Sequence, residues 1–472
     1  TVTGVQTCAL PISDIKNVDG EGNPPGIQDN NVDAEGNPIS TQENVMDSDG
    51  NQPQDDENNS KSLDNVEEDS EEKLAKRLTR FQTIMSCLNS LLGAGILSIS
   101  NSFTNAGIIP SIIILTIVGV LSHISTFMTI KLQRRLNSDG LDDLVEKACG
   151  KAGQMAVSIL SMLFLISAMV AYLIILSGNV VSWLDAAGVK VTSKLWKAFV
   201  VLINSLVIPI ALTIPRSVTF IGKLSVLSTV FITFYCIAMV AKAIHVLPHQ
   251  KPKPDITLAK FDINIFSSIS IYGLAFAFPI VVLPLIKPYN PDIRKRGIVS
   301  LVSVILCYIF VVVSGVIGYL LFGNASESII LDNFKSNDVL IIFVRVGFYI
   351  VVSLSYPSVA QSVMSSWSQI IFKTVNQGDL PGRKRIVVLI LTNIIPLIIA
   401  MFLPNARPAL SIGGALGGCL VDFFFPSFIW IKISKQKLLS VQNVLCALFA
   451  LFGVVSAAIS TYQAIVDAIK AF

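Results

Sequence analysis

Charge is scarce in this chain. Only 14% of its 472 residues are Asp, Glu, Lys or Arg, where a soluble protein of this size carries about a quarter. Histidine occurs three times. There is no HExxH, no GxSxG and no cluster of carboxylates, so the common hydrolytic chemistries have no residues to run on and an enzyme is not expected. The seven cysteines form no CxxC and no Cys/His metal spacing. Cys87, Cys236, Cys307, Cys419 and Cys446 lie in apolar runs and Cys149 in a short amphipathic loop, which makes them small core residues. Neither a disulfide framework, a metal site nor an organic cofactor is expected.

Acids are scarcer still beyond the leading segment. Of 32 Asp and Glu, 18 precede Lys73, and the 400 residues that follow hold 33 Lys and Arg against 14 acids, an imbalance concealed by the formal net charge of +3. Such an excess can signal nucleic acid binding, but here the bases sit in short loops between apolar runs, and no nucleic acid partner is expected. What abounds is apolar surface: 52% of residues, with a mean hydropathy of +0.66. From Phe81 onward, runs of about 20 residues, long enough to cross a bilayer as helix, recur to the end. Eleven are read: 82–107, 108–131, 153–183, 196–215, 219–246, 263–286, 297–323, 337–360, 384–404, 407–432 and 439–468. The fold class is an all-α polytopic membrane protein embedded in lipid. With the N-terminus cytosolic, that side carries 24 Lys and Arg and the opposite side 10. The N-terminus is therefore placed inside and, after eleven crossings, the C-terminus outside. "NAS" at Asn324, a glycosylation sequon, falls on the outer side.

The segment before the first run divides in two. Residues 1–13, "TVTGVQTCALPIS", match the translation of a common sequencing adapter and are set aside as a scar. Residues 14–72 are acidic, rich in Asn, Gly and Pro and nearly free of aromatics, a composition that predicts a disordered cytosolic tail. The tail holds a tandem repeat, "NVDGEGNP" at 17 and "NVDAEGNP" at 31; its "DSDGNQPQDDEN" has the glycine misplaced for a calcium loop. Residues 73–472 form the membrane domain.

Two runs carry their own break. "CLNSLLGAGILSIS" (87–100) puts Asn89, Ser90, Gly93 and Gly95 inside the first run, and "SIYGLAFAFPIVVLP" (270–284) puts Gly273, Pro279 and Pro284 inside the sixth. Interrupted segments in corresponding positions of two halves point to the binding site of a secondary transporter. Five crossings from one break to the next invert the second half relative to the first, giving an inverted five-plus-five repeat with an appended eleventh helix. Unwinding at Gly93–Ala94–Gly95 frees backbone N–H groups at the start of a half-helix, where donors and dipole together suit a carboxylate. Glycine there lets a ligand approach the backbone. The plain alternative for this stretch is a small-residue packing face.

These residues resemble the amino acid/auxin permease family, which includes vacuolar amino acid transporters and sodium-coupled neutral amino acid transporters. The resemblance covers roughly residues 78–465. It rests on "NSLLGAGILSIS", on "GYLLFGNASESIILDNF" (318–334), on "SLSYPSV" (353–359) and on "GGALGG" (413–418). It implies a leucine-transporter-like fold, an amino acid substrate of the neutral class, and a single chain as the transport unit. It places the substrate around Asn89, Gly93, Ala94 and Gly95 on one side and Tyr272, Gly273, Ala275 and Phe276 on the other. In sodium-coupled members a cation lies between the first and eighth helices, where the matching positions are Asn89, Leu92, Ser353 and Ser355. Those members favour threonine on the eighth helix and often carry an outer-loop disulfide; this chain has serine and no outer-loop cysteine. The acidic tail is similar to that of the vacuolar branch, which implies a vacuolar or lysosomal membrane ahead of the plasma membrane.

Ionisable residues inside the runs are candidates for function: His123, Arg345, Asp422 and Asp467. Asp422, deep in "CLVDFFFP", is the candidate proton carrier. His123 and Asp467 read as boundary residues and Arg345 as structural, bonding carbonyls or reaching the outer interface. Tyr172 reads first as a core tyrosine and second as a hydroxyl for the carboxylate site. The coupling ion is a proton or sodium. A competing reading is an amino acid sensor that signals through its cytosolic tail.

Overall fold

The computed structural model describes residues 78–471 apart from 139, 216–224, 252, 375–379 and 438. The adapter-like segment and the acidic tail lie outside the described residues.

The described chain is helical throughout. α1 (Arg80–Leu91) starts on a capping box, with the Thr79 hydroxyl accepting from the Gln82 N–H at 3.2 Å and the Gln82 side chain accepting from the Thr79 N–H at 3.1 Å. A 3₁₀ turn (Ala94–Ser98) and α2 (Ile99–Ala106) follow. Next come α3 (Ile108–Leu136) and α4 (Leu141–Ala186), the latter turned at Gly150, whose φ of 78° suits a residue without Cβ. α5 (Lys194–Ser205) passes through a π turn at Pro209. α6 (Ser225–Val246), α7 (Ile265–Ala275) and α8 (Pro279–Ile286) lead to α9 (Ile293–Phe322). α10 (Val339–Phe372) and α11 (Gly382–Phe402) precede α12 (Arg407–Gly413), a π-helical stretch (Gly414–Phe424) and α13 (Phe425–Ile433); α14 (Val441–Ala471) ends the chain.

Among the described residues ten helices or helix combinations are long and apolar enough to cross a membrane, and α1 with the chain from Gly95 to Ala106 forms a further pair bent by 47°. The predicted runs fall on these elements, except that residues 219–224 of the fifth lie outside the described residues. α3 illustrates why the protein belongs in lipid. It exposes Ile113, Ile117, Val120 and Ile124, one apolar stripe at helical spacing, and buries Ser111, Ser122, Ser125, Thr126 and Thr129 on the faces packed inward. Water would reverse that choice; hydrocarbon favours it, because buried hydroxyls then find partners inside the bundle.

One apolar core joins α1, α2, α3, α7, α8 and α9 through Leu88, Leu92, Phe103, Tyr272, Phe276 and Phe278. A second core lies where α4 meets α10, around Met169, Tyr356 and Val363. α7 lies along the π-helical stretch, which in turn packs on α14.

Candidate functional site

The first break falls where the sequence puts it. α1 ends at Leu91, with the Leu92 N–H still bonded back to Leu88, and helical structure resumes as a 3₁₀ turn at Ala94. That turn begins at Gly93 without any side-chain cap. The opening N–H groups of a helical segment have no partner within it, so Gly93–Ala94–Gly95 presents donors inside the protein. The carbonyl side is better served: Ser314 donates to the Ile96 carbonyl at 3.4 Å and in turn lies 2.7 Å from the Tyr235 hydroxyl. A Cβ on Gly93 would sit 3.3 Å from the Tyr172 hydroxyl. Tyr172, read first as a core residue, therefore turns its polar end to the break.

The second break lies beside the first. A Cβ on Gly95 would meet Leu274 at 3.5 Å and the Ala275 backbone at 3.9 Å, and the Phe103 ring stands edge-on to Tyr272 at 6.4 Å. α7 stops at Ala275 and α8 restarts at Pro279, a residue with no N–H to leave unpaired. The groups freed in between are met by side chains from elsewhere. Ser122 of α3 donates to the Phe276 carbonyl at 2.6 Å, and the Asp422 carboxylate accepts from the Ile280 N–H at 3.0 Å. The α7–α8 pair forms one candidate span through its break, unlike the first pair, which is bent by 47°.

The eight residues assigned to the substrate separate into different surroundings. Gly95 and Ala275 line the contact between the breaks, whereas Gly93 faces the Tyr172 hydroxyl of α4. Phe276 has its ring against Gly119, 3.4 Å from the position of a Cβ there. Gly273 faces away, into the π-helical stretch, where its Cβ would meet Cys419 at 3.2 Å and the Gly414 carbonyl at 3.4 Å; its glycine serves packing. Tyr272 is fully buried with its hydroxyl among Ser102, Ser111 and Ser268. Asn89 is half-buried on α1, and Ala94 opens the 3₁₀ turn.

The positions matched to a sodium site are less closely gathered. No hydrogen bond joins Asn89 or Leu92 to Ser353 or Ser355 among the described residues, and α1 packs mainly on α6, α8 and α9. Ser355 spends its hydroxyl on the Val351 carbonyl at 2.8 Å, while the Ser353 hydroxyl is buried without a partner. No group of three or more His, Cys, Asp or Glu is placed to hold a metal ion among the described residues.

Of the other ionisable residues, Arg345 is buried and donates to the Leu331 carbonyl at 2.7 Å, to Asn179 at 3.2 Å and to Asp332 at 3.3 Å. It ties the 323–334 loop to α4 and α10. The same loop accepts from Ser98 at its Ser328 carbonyl (2.7 Å) and from Asn101 at its Ser326 carbonyl (2.6 Å), so it spans from the first break to α10. Desolvation by the protein around Asp332 raises its carboxyl from the ordinary value, and the Arg345 charge opposes that rise. His123 lies 3.4 Å from the Ser300 hydroxyl. Asp467 is close enough to Arg407 to act as its counter-charge, and Arg407 donates to Asn105 at the end of α2 at 2.8 Å.

A cavity of about 870 Å³ opens at the end of the bundle that carries the 187–193, 323–338 and 403–406 loops. Its wall includes Asn179, Arg345 and Asp332 and reaches Ile174 of α4, two residues from Tyr172. It stops short of the breaks themselves: none of Gly93, Gly95, Ala275 and Phe276 lines it.

Sequence reasoning missed the π-helical stretch. Its signal was present: Gly414 and Gly418 sit four apart, the spacing that lets two helices touch through backbone.

A family model described as transmembrane amino acid transporter protein matches residues 76–466. Among similar proteins is one from Bos taurus named "Putative sodium-coupled neutral amino acid transporter 11". It is 22% identical over 386 residues, which is 81% of this chain and 82% of the bovine protein.

Proposed function

The chain belongs to the transmembrane amino acid transporter family, and from that premise we propose that it is a secondary active transporter that moves neutral amino acids across a membrane, driven by a cation gradient. The observation that carries this reading is the uncapped backbone at Gly93–Gly95, set against a second interrupted helix. The α-carboxylate takes the N–H groups of Gly93–Ala94–Gly95, with the Tyr172 hydroxyl as an added donor. The substrate side chain lies against Ala275 and Phe276. Eleven spans, the bent first pair counting as one, form an inverted five-plus-five repeat with a cytosolic N-terminus. A vacuolar or lysosomal membrane is favoured by the acidic tail.

For the coupling ion we favour the proton. Asp422 is a carboxylate in contact with the second break, whereas Ser355 is already engaged and α1 packs mainly away from α10. The name of the bovine relative supports the opposite choice, sodium held by Asn89, Leu92, Ser353 and Ser355.

Uptake into proteoliposomes of the full chain separates these readings. A pH gradient imposed without sodium is expected to drive accumulation, and a sodium gradient at equal pH is expected to drive none. Uptake that requires sodium and ignores the pH gradient would move the ion site to Asn89, Ser353 and Ser355. A protein that binds an amino acid yet never exchanges it would be a sensor.

A further inference from the structure

A helix interrupted within a membrane leaves carbonyls at the end of one half and N–H groups at the start of the next, and nothing in hydrocarbon can satisfy them. At the sixth span two side chains perform that task. Ser122 takes the Phe276 carbonyl, and Asp422 takes the Ile280 N–H. The Phe278 N–H, which also reaches the Phe276 carbonyl at 2.7 Å, faces the same carboxylate. Asp422 is fully buried, and its second oxygen, Oδ2, meets no donor at hydrogen-bonding geometry.

The elements around Asp422 fix where that carboxylate points. It lies in the eleven-residue π-helical stretch Gly414–Phe424. Each residue added to a helical turn rotates the later side chains by about 100°, so the π geometry decides which neighbour Asp422 faces. That stretch is held against α7 by glycines: a Cβ on Gly414 or Gly418 would overlap the Ser270 or Gly273 backbone. On the other side Ser125 of α3 donates to the Asp422 carbonyl. The carboxylate is thus held from two helices and aimed at the first turn of α8.

Asn or Ser would cap a helix about as well as Asp in water. A carboxylate differs in two ways: its charge strengthens a bond to the positive end of a half-helix where water is excluded, and it can accept a proton. We propose that Asp422 is the positioning residue of the sixth-span break, fastening α8 when ionised and loosening it when Oδ2 carries a proton. Substrate affinity and protonation are then linked through the position of α8, because Phe276, placed against the substrate side chain, leads directly into it. This rests on the transport reading above, and it assigns Asp422 a role that a simple proton carrier lacks.

The test is counterflow of L-alanine by the full chain in proteoliposomes, measured at pH 5 and pH 8, with thermal unfolding followed in parallel. The wild type is expected to show a higher KM at pH 5. Asp422→Asn retains a neutral cap and cannot ionise, so its KM should become independent of pH and stay within about threefold of the wild-type value at pH 5, where Asp422 carries its proton. Asp422→Leu has no cap, so its KM should be independent of pH and raised about tenfold, the worth of one charged cap. Ser122→Val strips the carbonyl side only; it should raise KM several-fold, roughly the worth of one hydrogen bond, and keep the wild-type pH dependence. Asparagine and leucine variants with the same KM, or a pH dependence that survives in either, would overturn the proposal. If leucine prevents folding, the Asn and Ser122→Val profiles still decide it. Absence of any exchange by folded wild-type protein would instead overturn the transport reading.

Discussion

Gly95→Val is expected to reduce amino acid uptake by about a hundredfold, the loss of two hydrogen bonds to a charged group, while the protein remains folded and inserted. The steric environment makes this a test of binding rather than of folding. A Cβ at position 95 would lie 3.5 Å from Leu274 and 3.9 Å from Ala275, which is ordinary van der Waals contact. Gly95→Ala should therefore fold like the wild type and lose part of its affinity, and Gly95→Val should lose nearly all of it. At Gly93 a Cβ would press on the Tyr172 hydroxyl at 3.3 Å, so Gly93→Val should combine the same loss with displacement of that hydroxyl. Thermal unfolding and binding measured on the same preparations separate the two effects. Normal affinity in a folded Gly95→Val protein would remove the carboxylate from this break.

Gly414→Ala is expected to do the reverse, lowering the amount of folded protein sharply. Its Cβ would stand 1.8 Å from the Ser270 carbonyl oxygen, and a Cβ on Gly418 would stand 2.2 Å from the Gly273 backbone. Neither obstacle is the flexible end of a side chain. α7 and the π-helical stretch would have to part by more than an ångström, and overpacking of this kind costs about 1–3 kcal/mol or more. The parting would also carry Asp422 away from the Ile280 N–H. Gly414→Ala should thus lower the unfolding temperature markedly, where Gly95→Ala leaves it near the wild-type value. Equal stability of the two variants would contradict the close backbone packing.

The contrast between these glycines marks how far the sequence could be read. Length and hydropathy located the spans because a bilayer imposes both on every crossing. The break at Gly93–Gly95 was legible because glycine and polar residues inside a membrane helix demand a reason, and the second break because proline at 279 and 284 makes the same demand. Gly273 looked equivalent to Gly95 in sequence, yet one faces the other break and the other faces Gly414 and Gly418. Which face a glycine presents depends on tertiary packing, which a single run does not encode. The π-helical stretch was hidden for a related reason: Gly414 and Gly418 face α7, a contact made only in the tertiary structure. Asp422 stood out as a buried acid, but its partner, the Ile280 N–H, lies 142 residues away. Tyr172 was seen as either core or site, and only the position of α4 against the turn after α1 decided that its hydroxyl meets Gly93.

The central claim is that the backbone at the first break holds the carboxylate of an amino acid. Counterflow of labelled L-alanine in proteoliposomes, challenged with unlabelled L-alanine or with L-alaninamide, tests it most directly. The amide keeps the side chain and amino group but replaces the carboxylate by a neutral group with a single acceptor oxygen. Wild-type protein should exchange L-alanine and ignore the amide, and Gly95→Val should exchange neither. Equal exchange of L-alanine and its amide, or undiminished exchange by Gly95→Val, would contradict the account.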